Sequence, residues 1–418
     1  MSAPEWGDLT RVFGRIGLLS FGGPAAQIAL MHKELVEDRP WLDEQSFLRA
    51  LSLCMLLPGP EAMQLATYAG WRLRGVAGGL LAGLLFVVPG AIVIAILVGL
   101  YASYGELAPV QAAFLGVKAA VMIIVLLALR KVATKALKTR MGWALAGVSF
   151  VAIFAFAMPF PLIIALAGLW GYFTAVHGPS SPAPPVNATP LKTGALWIAI
   201  WLTPLILLSA TGQTLLADLG WFFAKLAVVT FGGAYSVLAY MTQTVVDQYG
   251  WITTPQMIDA LGLAETTPGP LILVTQFVAQ LTGYTTGGLG LSLMAGLVAL
   301  WATFVPCFLW IFLAGPYLEQ IAARPRLTGA LAAVTSAVVG VILNLSIWFG
   351  LHVLFATVTR TTYGPLSLPL PDPTSLAPVA LGLTIMAGLL MLVAKRSMVQ
   401  TLMLVALAGL AGYYLAGT

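Results

Sequence analysis

The sequence predicts an all-α polytopic membrane protein that contains two inverted-topology repeats. Hydrophobic residues make up 60% of the chain and charged residues only 8%, whereas soluble domains carry roughly 25% charged residues. Several apolar runs are as long as the roughly 20 residues that a membrane-spanning helix needs. A pattern of glycine, tryptophan and proline residues also occurs twice, with its two copies 210 residues apart. Together these observations predict the lipid environment, the helices and the duplication.

The apolar runs are continuous, which favours helices over the strands of a β-barrel. A membrane strand would alternate apolar and polar residues over about ten positions. Runs such as 80–100, 112–129 and 289–313 are longer and more uniformly apolar than that. By contrast, the polar stretch 357–375 is predicted as an extramembrane loop. The net charge of +5 is modest, and because Lys and Arg in membrane proteins mainly mark cytoplasmic loops, nucleic-acid binding is not expected.

Each copy of the repeated pattern begins with Phe-Gly-Gly and ends with Pro-Gly-Pro. The first copy contains Phe21-Gly22-Gly23, Trp41 and Pro58-Gly59-Pro60, and the second contains Phe231-Gly232-Gly233, Trp251 and Pro268-Gly269-Pro270. Glycine and proline interrupt helices, and irregular backbone at membrane depth persists only where protein or water satisfies it. Each motif therefore predicts a broken or re-entrant helix. At Pro-Gly-Pro the predicted re-entrant stretches are 44–71 and 255–281, with a single kinked crossing as the alternative.

A Pro- and Ser-rich stretch at 178–192 is the predicted linker between a first repeat at 1–177 and a second repeat at 193–418. Basic residues mark opposite loops in the two repeats. Arg72 and Arg74 follow the first Pro-Gly-Pro motif, but the equivalent stretch of the second repeat has no Lys or Arg. By the positive-inside rule, equivalent loops then face opposite sides of the membrane. This predicts the inverted topology that many secondary transporters show.

The interrupted helices predict a substrate site. Interruptions at equivalent positions of two repeats mark the binding site in secondary transporters, and helix N-termini with free N–H groups bind anions. Arg15 and Lys225 are also equivalent, being 210 residues apart, and two cations suit a dianion. The predicted substrate-binding residues are Arg15, Ser20, Gly22, Gly23, Gly59, Gln64, Lys225, Thr230, Gly232, Gly233, Thr267, Gly269 and Gln276. The alternative is close helix packing, with each cation reaching a lipid headgroup or a nearby acid such as Glu5 or Asp218.

Four further ionisable residues are predicted to couple this site to protons or to gate it. A carboxylate in an apolar site can take up a proton, which suits Glu61 and Glu265 beside the two Pro-Gly-Pro motifs. Arg49 and Asp259 occupy equivalent positions with opposite charge, which predicts an ion pair that opens and closes. The alternatives are solvated acids and a static bridge. Lys118, in the middle of an apolar run, is either a cavity residue or a packing residue.

With these motifs, the chain resembles the chromate ion transporter family in its long, two-domain form. The first half carries Phe21-Gly-Gly-Pro24, Glu34-Leu-Val36, Trp41, Leu57-Pro-Gly-Pro60 and Phe86-Val-Val-Pro89, and the second half carries Phe231-Gly-Gly, Val245-Val246, Trp251, Thr267-Pro-Gly-Pro270 and Phe304-Val-Pro306. The resemblance covers both halves and implies chromate transport across the inner (plasma) membrane, usually as efflux that confers resistance. It also implies exchange for protons. The partners expected are therefore chromate or a similar oxyanion, protons and the lipid bilayer, with a homodimer also considered.

Three residues depart from the pattern of that family. Glu61 stands where a small or amide residue is expected, Ala234 stands where Gly is expected, and Gln27 stands where His is common. These departures bear on substrate preference more than on fold. Sulfate and molybdate share the tetrahedral dianionic shape of chromate, so both stay open as substrates.

Other function classes explain the sequence less well. An anion channel on the same scaffold remains an alternative. An intramembrane enzyme would need paired carboxylates or a cluster of histidines, but the three histidines are far apart in sequence, at His32, His177 and His352. Cys54 and Cys307 both lie in apolar segments, where packing is expected, so no metal or cofactor is predicted. A purely structural scaffold would not account for repeated breaks and charges.

Overall fold

The computed structural model describes residues 4–175, 190–231, 234–317 and 324–416. Within these ranges the chain forms fifteen α-helices and one two-stranded antiparallel hairpin, which confirms the all-α prediction. Most of the predicted linker at 178–192 lies outside the described residues, and the chain is helical again from Pro190. The prediction of one repeat on each side of that linker stays a prediction.

The helices of the first half divide at the predicted motifs. In chain order they are α1 (Trp6–Leu19), α2 (Gly23–His32), α3 (Glu44–Leu56), α4 (Glu61–Tyr104), α5 (Ala108–Ala136), α6 (Arg140–Phe154) and α7 (Phe160–Thr174). The Phe-Gly-Gly motif separates α1 from α2, and the Pro-Gly-Pro motif separates α3 from α4. A π-helical turn, Lys33–Glu37, follows α2. Helix α3 begins where the Asp43 side chain accepts a hydrogen bond from the Ser46 amide, an N-cap.

The second half repeats this order of breaks. Its helices are α8 (Pro190–Ala210), α9 (Thr214–Val229), α10 (Ala234–Gln243), α11 (Thr254–Thr266), α12 (Val274–Ala314), α13 (Pro325–Leu354), α14 (Pro378–Gly388) and α15 (Met398–Ala416). Phe-Gly-Gly lies between α9 and α10, and Pro-Gly-Pro lies between α11 and α12. A π-helical turn, Thr244–Gln248, again follows the helix after Phe-Gly-Gly. The predicted helix breaks at both motifs are therefore confirmed in both halves.

The two longest helices each contain a reversal, at or next to the equivalent loops that the sequence analysis placed after the re-entrant stretches 44–71 and 255–281. Helix α4 leaves helical geometry at Arg74 and Gly75 (φ/ψ −141°/27° and 64°/−158°), and α12 does so at Gly287 and Gly288 (−151°/20° and 75°/−164°). The two limbs of α4 then pack against each other so closely that a Cβ on Gly70 would strike the backbone carbonyl of Gly78. Both long helices are thus helical hairpins with nearly identical turns.

Six helical segments are long and apolar enough to cross a membrane, counted over the described ranges. They are Glu61–Tyr104, Ala108–Ala136, Leu191–Ala210, Leu271–Tyr317, Pro325–Leu354 and Met398–Leu415. Three shorter apolar helices accompany them, at Arg140–Phe154, Phe160–Thr174 and Pro378–Val393. The chain is therefore a multi-pass membrane protein, as predicted.

The stretch 357–375, which was predicted as an extramembrane loop, contains the β-hairpin. Strand β1 (Val358–Tyr363) pairs antiparallel with β2 (Leu366–Pro371). Threonine and other β-branched residues favour an extended strand in β1. Gly364, with φ of 60°, opens the two-residue turn between the strands.

Contacts divide the chain into two compact units. The first comprises Met1–Gly99, Thr174–Val237 and Thr267–Thr328, and the second comprises Leu100–Phe173, Leu238–Thr266 and Gly329–Thr418. In the first unit, the indole of Trp201 donates to the carbonyl of Ala302, which ties α8 to α12. In the second unit, α5 and α15 approach so closely that Gly116 packs directly on the backbone of Val405. Each unit takes segments from both halves of the sequence.

Candidate functional site

The two Phe-Gly-Gly breaks begin in the same way. Helix α1 ends at Leu19, and the Ser20 hydroxyl turns back to donate to the carbonyl of Ile16 at 2.5 Å. In the second half, the Thr230 hydroxyl donates to the carbonyl of Leu226 at 2.6 Å. Gly22 and Gly23 follow Ser20 with φ of 89° and 75°. Their predicted equivalents, Gly232 and Gly233, lie outside the described residues.

The Phe-Gly-Gly break of each half is hydrogen-bonded to the Pro-Gly-Pro break of the other. The amide of Gly59 donates to the carbonyl of Thr230 at 2.8 Å, and the amide of Gly269 donates to the carbonyl of Ser20 at 3.0 Å. Gly59 is equivalent to Gly269, and Ser20 to Thr230, so the same bond is made twice with the halves exchanged. All four residues belong to the first compact unit. We call this set, Ser20, Gly59, Thr230 and Gly269, the crossed junction.

The crossed junction corrects one prediction. Sequence reasoning expected the amides of Gly59 and Gly269 to be free for an anion, but both donate to backbone carbonyls. The physical reason is that buried N–H groups must find an acceptor, and the carbonyls left at the ends of α1 and α9 supply one. A role for these two glycines in binding substrate stays a prediction, and it requires the crossed bonds to open.

Glycine is required at both Pro-Gly-Pro turns. Gly59 has φ of 119° and Gly269 has φ of 87°, in the region that side chains disfavour. A Cβ on Gly59 would lie 2.8 Å from the Gln64 amide nitrogen and 3.1 Å from the Cys307 sulfur. A Cβ on Gly269 would lie 3.2 Å from Leu273 Cδ1, so at this turn the backbone conformation is the main constraint. Cys307 is thus a buried free thiol that packs against the turn.

Three buried glutamines donate to carbonyls at these interruptions. Gln27 donates from Nε2 to the carbonyls of Gly269 (2.7 Å) and Ser20 (3.2 Å). Gln64 donates to the carbonyl of Pro58 at 2.6 Å. Gln276 donates to the carbonyl of Ala91 at 2.9 Å, just beyond the proline inside α4. These carbonyl partners fix the orientation of each amide, since the opposite orientation would place two acceptors together.

Each of these amide nitrogens donates to a backbone carbonyl, whereas Oε1 of Gln27, Gln64 and Gln276 has no hydrogen-bond partner among the described residues. All three side chains are buried, at 0% to 2% exposure. An amide nitrogen carries two N–H groups, and the bond to Pro58 uses one of those of Gln64. The substrate-binding role of Gln64 and Gln276 stays a prediction.

The two equivalent cations lie on exposed faces of their helices. Arg15 on α1 is 58% exposed and pairs with Glu34 at 3.3 Å. Glu34 is itself buried, and it also accepts from Arg39 at 2.6 Å. The local acid that holds Arg15 is therefore Glu34, and neither Glu5 nor Asp218 is its ion-pair partner among the described residues. Lys225 on α9 is exposed as well. A role for Arg15 and Lys225 in attracting substrate stays a prediction.

The remaining predicted residues lie in or directly beside helices α3, α4 and α11. Glu61 is the first residue of α4, and Glu265 is buried near the end of α11. Thr267 is buried directly before the second Pro-Gly-Pro turn. Arg49 donates to Ser46 within α3. The roles in substrate binding, proton coupling and gating assigned to these residues stay predictions.

Asp259 has a partner that was not predicted for it. Its carboxylate is completely buried and lies 3.0 Å from the Lys118 ammonium, and it accepts from the Tyr101 hydroxyl at 2.8 Å. The predicted partner was Arg49, so the ion pair assigned to Asp259 is corrected to Lys118. Helices α5 and α11 pack closely here, because a Cβ on Gly262 would lie 2.6 Å from Val117. Removing one member of such a buried pair typically costs 3–5 kcal/mol, since the other charge loses its counter-ion.

Comparison of the sequence with known proteins identifies the family. The sequence model described as "Chromate transporter" matches residues 7–172 and 217–413. The chain belongs to the chromate transporter family. A "Chromate transport protein" of Cupriavidus metallidurans is 32% identical over 80% of each chain. A "Probable chromate transport protein" of Synechococcus elongatus is 30% identical over 88% of this chain and 92% of its own. No solved structure matches the chain.

Membership of the chromate transporter family points to a transporter rather than an enzyme. The two matched regions contain every described residue of the crossed junction. Relatives from Methanocaldococcus jannaschii and Bacillus subtilis also match, and they are named only as uncharacterized transporters. Within the described residues, no group of three His, Cys, Asp or Glu side chains is arranged to hold a metal ion.

Sequence reasoning missed one charged residue of this chromate transporter family member. Glu34 was noted only as part of a motif, yet it is a buried carboxylate between two arginines. Arg39 lies five residues after Glu34, so that ion pair could have been predicted from the sequence. Arg15 lies on the other side of the Phe-Gly-Gly break, and its pairing with Glu34 could not. The burial of Glu34 follows from that break, which folds α2 and its π-helical turn back beside α1.

Proposed function

We propose that this protein is a secondary transporter that carries chromate, or a tetrahedral oxyanion of the same shape, out of the cell across the plasma membrane. Support comes first from the relatives named as chromate transport proteins, which are aligned over about four-fifths or more of their length. It comes second from the multi-pass helical architecture. Sulfate and molybdate are the alternative substrates, because they present the same four oxygens in the same geometry.

The observation that carries the proposal is the crossed junction. Each of its bonds joins an interrupted helix of one half to an interrupted helix of the other, as with Gly59 and Thr230. Broken helices at equivalent places are where secondary transporters bind substrate and change access. Besides its two backbone bonds, the junction is held by Gln27, which donates to the carbonyls of Gly269 and Ser20, and opening these bonds exposes amides that could take an oxyanion. The junction therefore serves as both the substrate site and the point of movement.

Outward transport of a dianion is favoured by an interior-negative membrane potential. Moving one elementary charge through 100 mV is worth about 2.3 kcal/mol, and a dianion gains roughly twice that. We also propose coupling to protons, in the form of the exchange that the family resemblance implies. Glu61 and Glu265 are the carriers proposed for that proton, since each lies beside a Pro-Gly-Pro turn.

The test is chromate uptake into everted membrane vesicles, in which uptake corresponds to efflux from the cell. Vesicles containing this chain should accumulate chromate faster than vesicles from cells that lack it. Uptake that collapses with the proton gradient would support coupling, whereas uptake that ignores the gradient but follows the membrane potential would favour a channel or uniporter. Excess sulfate or molybdate tests selectivity by competition. If chromate uptake equals the control while sulfate uptake does not, the substrate assigned here is wrong.

A further inference from the structure

The Lys118–Asp259 pair is a charged site inside the second compact unit. Asp259 on α11 is 0% exposed. Its Oδ1 lies 3.0 Å from the Lys118 ammonium on α5, an ion-pair contact without hydrogen-bond geometry, and its Oδ2 accepts from the Tyr101 hydroxyl near the end of α4 at 2.8 Å. The carboxylate is therefore held by a cation and a hydroxyl on two different helices.

Lys118 differs from the other basic residues of the chain. All 20 lysines and arginines lie in the described ranges, and nearly all of them are exposed or lie at helix ends and in loops. Lys118 is well inside the 29-residue α5, a candidate membrane span, and its side chain is only 13% exposed. A cation at that depth is costly to insert, so it needs both a counter-ion and a reason to be there.

We propose that Lys118 is an anion-binding residue of this transporter and that Asp259 is the internal counter-ion it holds when no substrate is bound. The proposal rests on the transport function proposed above. An incoming tetrahedral oxyanion takes the place of the Asp259 carboxylate on the Lys118 ammonium and the Tyr101 hydroxyl. The binding of substrate and the ion pair are then mutually exclusive.

The chemistry of the three groups supports this exchange. An ammonium offers three donors and no acceptor, and the Tyr101 hydroxyl adds another donor. The Tyr101 hydroxyl now donates to one carboxylate oxygen and the ammonium pairs with the other, and an oxyanion presents the same kind of acceptor. A carboxylate and a dianion repel each other at contact distance, and the repulsion is strong where water is excluded. For this reason the two anions compete for Lys118 instead of sharing it.

A purely structural role makes a different prediction. A buried ion pair can be replaced by neutral side chains of similar size with little loss of stability, and sometimes with a gain. If the pair only holds α5 against α11, the double variant Lys118→Met/Asp259→Asn should fold and transport normally. If Lys118 binds the substrate, the same double variant should fold but should lose the oxyanion affinity that Lys118 contributes.

The experiment measures binding of radiolabelled sulfate and of chromate to the purified full-length protein in lipid nanodiscs. Asp259→Asn, which leaves Lys118 without its competitor, should raise oxyanion affinity by roughly 5- to 150-fold, the usual range for two linked events. Lys118→Met/Asp259→Asn should lose that gain and bind oxyanion more weakly than the wild type, and Lys118→Arg, which keeps the positive charge, should retain part of the wild-type affinity. Thermal unfolding of each variant shows whether it is folded. Lys118→Met alone leaves Asp259 unpaired, so the double variant is the decisive one.

The outcomes separate this inference from the proposed function. If the wild type moves chromate and the folded double variant moves it equally well, the anion-binding role is overturned and the transport function stands. If the wild type moves no chromate but binds sulfate in a Lys118-dependent way, the inference stands and the assigned substrate fails. Unchanged oxyanion affinity in folded Asp259→Asn protein would also overturn the competition.

Discussion

The amide of Gly59 donates to the carbonyl of Thr230 across 2.8 Å, joining the Pro-Gly-Pro turn of the first half to the Phe-Gly-Gly break of the second. The equivalent bond, from Gly269 to Ser20, has almost the same length, 3.0 Å. At each break, a backbone N–H or C=O group that has lost its partner within the helix forms a hydrogen bond with a backbone group of the other half. This solves the problem of irregular backbone in a membrane protein without water or ligand, because every bond satisfies one donor and one acceptor at once.

The turn at Gly59 should not tolerate a side chain. Gly59→Ala places a Cβ 2.8 Å from the Gln64 amide and 3.1 Å from the Cys307 sulfur, at a φ of 119°. A strained backbone of this kind costs of order 1–3 kcal/mol before any clash. We expect a clear drop in the midpoint of thermal unfolding in detergent, together with loss of chromate uptake. Gly288→Ala is the matched control, because φ there is 75° but no atom lies within 4 Å of the new Cβ. Equal effects of the two substitutions would show that the contact with Cys307 and Gln64 is unimportant.

Gln27 should stabilise the second bond of the crossed junction. Gln27→Leu removes the donor that the Gly269 carbonyl receives at 2.7 Å and one of the two that Ser20 receives. A buried acceptor left without a donor typically costs about 1–3 kcal/mol. The free energy of unfolding should therefore fall by that order in Gln27→Leu. It should change little in Gln213→Leu, whose side chain is exposed. A stable Gln27→Leu protein would mean that the Gly269 carbonyl finds another partner.

The sequence predicted where the helices break but not what the breaks contact. Glycine and proline act on their own backbone, so Phe-Gly-Gly and Pro-Gly-Pro could be identified as interruptions from local chemistry alone. The bond from Gln27 to Gly269 joins residues 242 positions apart, and that from Tyr101 to Asp259 joins residues 158 apart. No local signal records such pairs. The same limit explains why Asp259 was assigned to Arg49: equivalence in a repeat relates positions, whereas an ion pair depends on which helices pack together.

The reversal inside α4 lies at the loop that basic residues marked in the sequence. Arg72 and Arg74 indicated a loop after the first Pro-Gly-Pro motif, and the non-helical residues are Arg74 and Gly75. What the sequence did not show is how tight the turn is, or that it is stabilised by the close approach of Gly70 and Gly78 on the two limbs. Paired small residues on either side of a glycine are a signal for such close packing.

Arg15 and Arg39 provide a matched test of whether Arg15 has a role beyond its ion pair. Both pair with buried Glu34, so loss of that pair alone should make Arg15→Ala and Arg39→Ala resemble each other in stability and transport. If Arg15 and Lys225 attract the substrate, Arg15→Ala and Lys225→Ala should share a loss of chromate uptake that Arg39→Ala does not show. Uptake should be compared at equal amounts of inserted protein. Full uptake in both Arg15→Ala and Lys225→Ala would remove these cations from the site.

The hydrogen bonds of His32 to Glu37 and Glu44 should make the protein more stable at mildly acidic pH than at alkaline pH. Nε2 of His32 contacts Glu44 at 2.7 Å and Nδ1 contacts Glu37 at 2.9 Å, so the ring joins the turn after α2 to the start of α3. The hydrogen bond to Glu44, aided by Glu37, raises the pKa of His32 above its usual value despite partial burial. A raised pKa in the folded protein means that the folded state binds this proton more tightly than the unfolded state does. The stabilisation is therefore fully present below the unfolded pKa of about 6.5, and it is lost as pH rises through the folded pKa.

The difference in unfolding midpoint between wild type and His32→Gln should accordingly be largest at mildly acidic pH and shrink as the pH is raised. Glu44→Gln is the matched control, since it keeps the size of the partner but removes the charge that favours the imidazolium. In that background the dependence on pH should weaken. His177 and His352 are present in every variant, so the comparison isolates the substitution at His32. A difference that grows toward alkaline pH would mean that His32 is held in its neutral form and that the carboxylates accept from its ring without favouring its charge.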